Sequence, residues 1–181
     1  MRGIDSHLWV PVALACVPAP VQATQYLTVE QAQHALFPQA DSFAAAPVRL
    51  TPELKGKLLA DTGVPTRGDQ QRAWSAMRNG ALQGHVLVDE VIGKQELITY
   101  AVGIGSDGVV RGVEILDYRE THGGEIRDPR WLAQFAGKRG DAPLRLEQDI
   151  QNISGATLSC RHVTDGVRRL VALHGLALKG K

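Results

Sequence analysis

Alternation of apolar and polar side chains dominates the middle of the chain and predicts β-strands. From about residue 70, short apolar runs are separated by turn-forming residues, and Asn79-Gly80 is the strongest hairpin signal among them. Further turns are expected at Gly93-Lys94 and at Ser106-Asp107-Gly108. Because consecutive strands joined by tight turns pair antiparallel, the pattern predicts a meander of four strands that ends near Leu116.

Helical signals lie before the meander. Thr28-Val29-Glu30-Gln31 reads as a capping box for a helix that runs to about Phe37, where Pro38 stops it. Thr51-Pro52-Glu53 supplies an N-cap and a first-turn proline for a second short helix. Residues 38–50 are rich in Ala and Pro and are interpreted as a connector.

Two more helices are expected after the meander. One fits residues 129–137, where Trp131, Leu132 and Phe135 fall on one face. The last fits about 156–173, where apolar residues recur at helical spacing. The fold class is therefore α+β, a twisted antiparallel sheet with helices packed on it.

Composition and charge exclude several classes of function. The chain has 181 residues, 20 Lys+Arg, 19 Asp+Glu and a formal net charge of +1. A nucleic-acid binder would show a clustered basic surplus, so no nucleic-acid partner is expected. Its two cysteines, Cys16 and Cys160, cannot build a disulfide framework or a thiolate metal cluster. We expect Cys160 to be a small buried residue.

Residues 1–23 differ from the rest and read as a signal peptide cut after Ala23. An apolar stretch follows Arg2, and Val21-Gln22-Ala23 fits a small-x-small cleavage site. A loose lipoprotein box around Cys16 leaves lipidation open as an alternative. Export would place the protein in the periplasm or at the outer face of the cytoplasmic membrane. The mature chain would then comprise a helical and connector region at 24–68 and a main domain at 69–181.

Two loops in the C-terminal half carry the candidate chemistry. The first, Glu120-Thr121-His122-Gly123, follows the last meander strand, and the second, Ser154-Gly155-Ala156-Thr157, precedes the last helix. The chain between them is long enough to bring the loops side by side. A Ser-Gly turn that feeds a helix exposes unpaired backbone N–H groups, which together with the helix dipole suit a phosphate. The Thr157 hydroxyl could hydrogen-bond that phosphate or be esterified by it, whereas the alternative is that Ser154 merely caps the helix.

The order of several segments resembles a known family. These are Val102-Gly103-Ile104, the Asp107-Gly108 turn, Val113-Glu114-Ile115-Leu116, the Glu120–Gly123 loop and Ile153-Ser154-Gly155-Ala156-Thr157-Leu158-Ser159. Together they are similar to the FMN-binding domain of the RnfG and NqrC subunits of membrane redox pumps, of NosR-type regulators and of small exported flavoproteins. The likeness covers roughly residues 80–173, and the Ser-Gly-Ala-Thr segment is its most specific part.

The resemblance implies a covalent cofactor. Thr157 would carry FMN through a phosphoester bond made by a flavin transferase of the ApbE type, which uses FAD and a divalent metal and releases AMP. Ser154, Gly155 and Ala156 would shape the phosphate turn. The cofactor-binding loop would be completed by four residues that contact the flavin or order its pocket: Glu120, Thr121, His122 and Gly123. The family often has proline where His122 stands and an acidic residue where Gln151 stands. Apart from the resemblance, Tyr118 lies two positions before Glu120 and is for that reason the aromatic residue expected to touch a flavin.

The function implied is that of an exported electron-transfer flavoprotein. It would pass electrons between a membrane reductase and another redox partner, such as a cytochrome, as a carrier more than as a stand-alone enzyme. Three alternatives stay open. The chain could be a flavin-dependent reductase of a small acceptor, a non-flavin envelope interaction module, or a protein that holds FMN without a covalent bond.

Overall fold

The computed structural model describes residues 24–120 and 123–180. The expected signal peptide with Cys16, and the loop residues Thr121 and His122, lie outside the described residues. The strands are β1 Thr24–Gln25, β2 Ser42–Ala45, β3 Val48–Arg49, β4 Gln70–Arg78, β5 Ala81–Ile92, β6 Leu97–Gly105 and β7 Val110–Tyr118. The α-helices are α1 Val29–Leu36, α2 Pro52–Thr62, α3 Pro129–Leu132 and α4 Thr157–Ala177. Two 3-10 segments, Gly124–Arg127 and Ala133–Phe135, flank α3.

One antiparallel sheet organises the described chain. Its strand order is β1-β7-β6-β5-β4-β2, and β3 also pairs with β4. Strands β4 to β7 are consecutive neighbours, which confirms the predicted meander and the α+β class. The Asn79-Gly80 turn joins β4 to β5 as expected, with both residues at positive φ.

The connector interpretation of residues 38–50 was wrong. Ser42–Ala45 forms β2 against Trp74–Met77 of β4, and Val48 and Arg49 form β3 against the start of the same strand. The edge of β4 exposes backbone groups that need partners, and this segment supplies them. Pro47, which cannot donate a ladder hydrogen bond, falls between the two short strands.

Alternate side chains of the sheet face two separate cores. Leu87, Tyr100 and Val102 point to the face on which α4 packs, together with the buried Val163 and Val167 of that helix. The opposite face is covered by α1, whose Ala32 and Leu36 pack against Val86, Val88, Ala101 and Leu116. This two-residue alternation is why a single sheet can bury both faces.

The helix boundaries follow the local sequence signals, with two differences. The capping box at Thr28 forms, with hydrogen bonds of 2.8 Å and 3.2 Å to Gln31, and Thr51 caps α2 as predicted. The helix expected at 129–137 instead changes to a 3-10 turn after Leu132, while Trp131 and Phe135 are buried as predicted. Helix α4 runs four residues beyond its expected end, to Ala177. Among the described residues, no helix has the length and apolar character needed to cross a membrane.

Candidate functional site

The structure brings the two predicted loops into contact. A Cβ built on Gly123 would lie 2.7 Å from the Tyr118 hydroxyl oxygen and 3.3 Å from the Ala156 Cβ atom. Gly123 has a φ of 87°, a conformation that glycine adopts without strain. The end of the first loop therefore packs directly against the start of α4.

The turn before α4 leaves the helix N-terminus without a side-chain cap. Ala156 is the N-cap residue, and within the described residues no side-chain hydrogen bond caps the helix, so Ser154 is not its cap. The turn is closed by the Ala156 N–H, which donates to the Ile153 carbonyl at 3.0 Å, and Gly155 supplies a φ of 88°. The first amides of α4 have no partner inside the helix, and the helix dipole adds partial positive charge there. Ser154 and Gly155 are both exposed at this turn.

Thr157 is the first residue of α4, and among the described residues its hydroxyl is hydrogen-bonded to one side chain. The Asn152 Nδ2 group donates to Thr157 Oγ1 at 3.0 Å. The backbone next to Asn152 is held in turn, because Trp131 Nε1 donates to the Gln151 carbonyl and the Gln151 N–H donates to Gln134 Oε1, each at 2.7 Å. Sequence reasoning had missed Asn152 and had placed Trp131 only in the core. The one available signal was an amide side chain five residues before Thr157.

Glu120 fastens a neighbouring turn. Its Oε1 atom accepts hydrogen bonds from the backbone N–H groups of Gln95 at 2.6 Å and Glu96 at 2.9 Å. Partial burial acts to raise the pKa of the Glu120 carboxyl, but the hydrogen bonds from Glu96, Gln95 and Lys94 outweigh it and hold that pKa below its usual value. Glu120 thus remains ionised and orders the turn between β5 and β6.

The same turn is held from its other side by α4. His162 Nδ1 lies 2.5 Å from the Ile92 carbonyl oxygen and 3.1 Å from the Gly93 carbonyl oxygen. Because both neighbours are acceptors, Nδ1 carries the imidazole proton. Gly93 leaves room for Glu120, since a Cβ there would lie 2.7 Å from Glu120 Oε1.

These elements enclose a cleft of about 340 Å³ beside Thr157. It is lined by Lys94, Gln95, Glu120 and Gly155-Ala156-Thr157-Leu158-Ser159. A lysine and the uncapped helix start supply positive charge, while Leu158, 44% exposed, offers an apolar surface. The volume lies within the range of small-molecule sites, about 300–1,000 Å³.

The residues that pack beneath the two loops, Tyr118 and Cys160, are buried. Tyr118 is 4% exposed and hydrogen-bonds with Ser159, so it supports the loops from below instead of facing the cleft as expected. Burial raises the pKa of its phenol and also that of the Cys160 thiol. Cys160 is fully buried, as predicted. Within the described ranges, no cluster of three or more His, Cys, Asp or Glu side chains could hold a metal ion.

Of the predicted site residues, Glu120, Gly155, Ala156 and Thr157 line the cleft. Gly123 touches Ala156 from beside it, and Ser154 is exposed in the adjoining turn. The described residues of the two loops therefore line or adjoin the cleft, while the predicted site residues Thr121 and His122 lie outside the described part of the chain.

Comparison with known proteins shows which sequences this chain is similar to. Residues 93–172 match the model of the FMN-binding domain. The G subunit of the Na(+)-translocating ferredoxin:NAD(+) oxidoreductase complex of Acetobacterium woodii is 26% identical over 153 residues, which cover 79% of this chain and 72% of that protein. The G subunit of the ion-translocating oxidoreductase complex of Aliivibrio fischeri is 34% identical over 41% of this chain, and the C subunit of the Na(+)-translocating NADH-quinone reductase of Vibrio vulnificus is 34% identical over 34% of it.

The matched regions of the last two relatives are short, since they span only 40% and 31% of those proteins. The crystal structure of Shewanella oneidensis NqrC is also similar, with a TM-score of 0.47, 20% sequence identity, and coverage of 82% of this chain and 71% of that one. The matched segment contains Glu120, Gly123 and the whole Ser154–Thr157 turn. Residues 93–172 of this chain therefore match the FMN-binding domain, the family that the order of the sequence motifs resembles.

Proposed function

We propose that this protein is an exported electron-transfer flavoprotein that carries FMN as a phosphoester on Thr157. The observation that carries the proposal is the position of the Thr157 hydroxyl, which lies at an uncapped helix N-terminus, borders a cleft and falls within a segment of the FMN-binding domain family. The FMN-carrying part is residues 69–181.

The residues around Thr157 fit such a cofactor. Unpaired amides at the start of α4 and the Lys94 ammonium suit a phosphate, and the half-exposed Leu158 suits an apolar ring. Glu120 acts on the pocket by ordering the turn that presents Lys94. When bound, FMN supplies one- or two-electron redox chemistry, and the protein sets its position and surroundings.

Electron carriage is the role that the relatives support. They are named as subunits of oxidoreductase complexes that translocate ions, and this chain would likewise exchange electrons with a membrane or periplasmic redox protein such as a cytochrome or reductase. The signal-peptide pattern of residues 1–23 favours an exchange in the periplasm or at the outer face of the cytoplasmic membrane. A covalent bond suits that location, because a freely bound flavin would be lost wherever flavin is scarce. Maturation requires an ApbE-type flavin transferase.

The test is intact mass and in-gel flavin fluorescence after export together with a flavin transferase. The wild-type chain should gain the mass of FMN minus water and fluoresce after denaturation, and Thr157→Ala should lose both. Thr51→Ala is the matched control, because Thr51 also presents a hydroxyl at the start of a helix, where it caps Leu54. Thr51→Ala should be labelled like the wild type.

Other results would select among the alternatives. Yellow protein whose flavin is released by acid would indicate non-covalent binding, and colourless protein would indicate an interaction module. Turnover of a small acceptor without a second protein would favour a flavin-dependent reductase. Unchanged labelling of Thr157→Ala would contradict the proposed attachment site.

A further inference from the structure

The side chain of Asn152 is hydrogen-bonded to the Thr157 hydroxyl, which acts as the nucleophile under the proposed function. Its Nδ2 group donates to Thr157 Oγ1 at 3.0 Å. This hydrogen bond uses one lone pair of the oxygen. The hydroxyl proton and the second lone pair are thereby directed away from Asn152.

The other half of the Asn152 amide makes no hydrogen bond within the described part of the chain. Its Oδ1 atom is buried and finds no hydrogen-bond partner among the described residues. A buried acceptor without a partner costs folding free energy, so each such group calls for an explanation. An alanine at this position would carry no such unpaired acceptor, so the amide calls for a reason in what its Nδ2 group does.

The structure also holds Asn152 in place from outside its own loop. Both backbone polar groups of Gln151 are bonded to the segment that begins with α3, the carbonyl to Trp131 and the N–H to Gln134. Trp131 is itself packed edge to face against the fully buried Phe135. The amide is therefore presented to Thr157 from a rigid support, as functional side chains require.

We propose that Asn152 is a positioning residue that aims Thr157 Oγ1 for flavin transfer. The inference rests on the proposed attachment of FMN to Thr157. In that step Thr157 Oγ1 forms a bond to the phosphorus of the FMN half of FAD, and the phosphorus–oxygen bond to the AMP half breaks. AMP leaves with the bonding electron pair, and the hydroxyl proton passes to a base of the transferase. Asn152 keeps one lone pair occupied so that the other faces the phosphorus.

The experiment is a flavin-transfer assay with purified unlabelled protein, transferase, FAD and a divalent metal, in which the rate of covalent labelling is followed against acceptor concentration. Asn152→Ala should lower kcat about tenfold, the size expected for losing one orienting contact, and leave KM for the acceptor protein unchanged. Gln148→Ala removes an exposed amide from the same loop and should behave like the wild type.

A second variant tests the direction of the hydrogen bond. Asn152→Asp puts a carboxylate, which can only accept, next to Thr157, so the hydroxyl would turn its proton inward and kcat should fall at least as far. Thermal unfolding midpoints near that of the wild type would show that the variants are folded. If Asn152→Ala is destabilised, Asn152→Ser, which retains a donor, should recover part of kcat.

The outcomes separate this proposal from the one on which it rests. A folded Asn152→Ala protein labelled at the wild-type kcat, or an Asn152→Asp protein labelled faster than the wild type, would overturn the positioning role. An unlabelled wild-type protein, or label that persists in Thr157→Ala, would instead contradict attachment at Thr157.

Discussion

Acid should destabilise the protein through a buried pair of histidines that join α4 to the sheet. His85 on β5 and His174 on α4 are 2% and 1% exposed, and His85 Nδ1 lies 3.2 Å from His174 Nε2. Burial lowers the pKa of both imidazoles. For His174, burial first and then the neighbouring His85 and Lys179 bring the pKa from 6.5 to about 4.

The depressed pKa of His174 determines both the direction and the size of the effect. In the unfolded chain the imidazole titrates near 6.5, so between that pH and about 4 the unfolded state binds more protons than the folded state. The stabilisation is therefore complete above about pH 6.5 and is lost as the pH falls. At pH 5 the loss from His174 alone is about 2 kcal/mol, and it approaches about 3 kcal/mol below pH 4. His85 contributes in the same direction.

Urea unfolding followed by circular dichroism at about pH 7.5 and about pH 5 measures this loss. His174→Gln should be less stable than the wild type at the higher pH but should lose less on acidification, because glutamine does not titrate. His34→Gln, in which an exposed histidine is replaced, is the matched control and should decline like the wild type. Equal wild-type free energies of unfolding at the two pH values would refute the reasoning. So would an undiminished decline in His174→Gln.

Two further substitutions test the support of the cleft. Gly123→Ala should lower the free energy of unfolding by about 1–3 kcal/mol and slow flavin labelling, because a methyl group there meets the Tyr118 hydroxyl at a positive φ. Gly124→Ala, where the added carbon meets no described atom within 4 Å beyond its own chain neighbours, is its control, and equal losses in the two would contradict the steric argument. Trp131→Phe removes the indole N–H and leaves the Gln151 carbonyl unpaired, so denaturant unfolding should show a loss of about 1–3 kcal/mol and labelling should slow. If a destabilised Trp131→Phe protein is labelled at the wild-type rate, the Trp131 indole contributes to stability and not to flavin attachment.

The elements that could be predicted from sequence are those whose signals are local. The Asn79-Gly80 hairpin, the capping box at Thr28 and the N-cap at Thr51 each depend on residues within three or four positions of one another. The Ser154–Thr157 turn was recognisable for the same reason, since a glycine at positive φ before a helix carries its own conformational preference.

Strand β2 and the early end of α3 could not be predicted from the sequence, because the residues that decide them lie far away along the chain. Residues 42–45 become a strand only because the edge of β4 is open to them, and their Ala-rich composition indicated a connector. The predicted helix at 129–137 was cut short where Trp131 and Phe135 turn into the core, so that tertiary packing outweighed helical propensity.

The sequence by itself determined the meander, the helix starts and the resemblance to the FMN-binding domain, because each depends on residue types in a short, ordered stretch. Tertiary structure alone decided that Gly123 touches Ala156, that Glu120 fastens the turn at residues 93–96, and that His85 meets His174 across 89 positions. It also decided which atom faces the Thr157 hydroxyl, because the Asn152 amide is aimed by Trp131 and Gln134 from another segment. Such contacts depend on how whole elements pack, and packing is not encoded in any local pattern of polar and apolar residues.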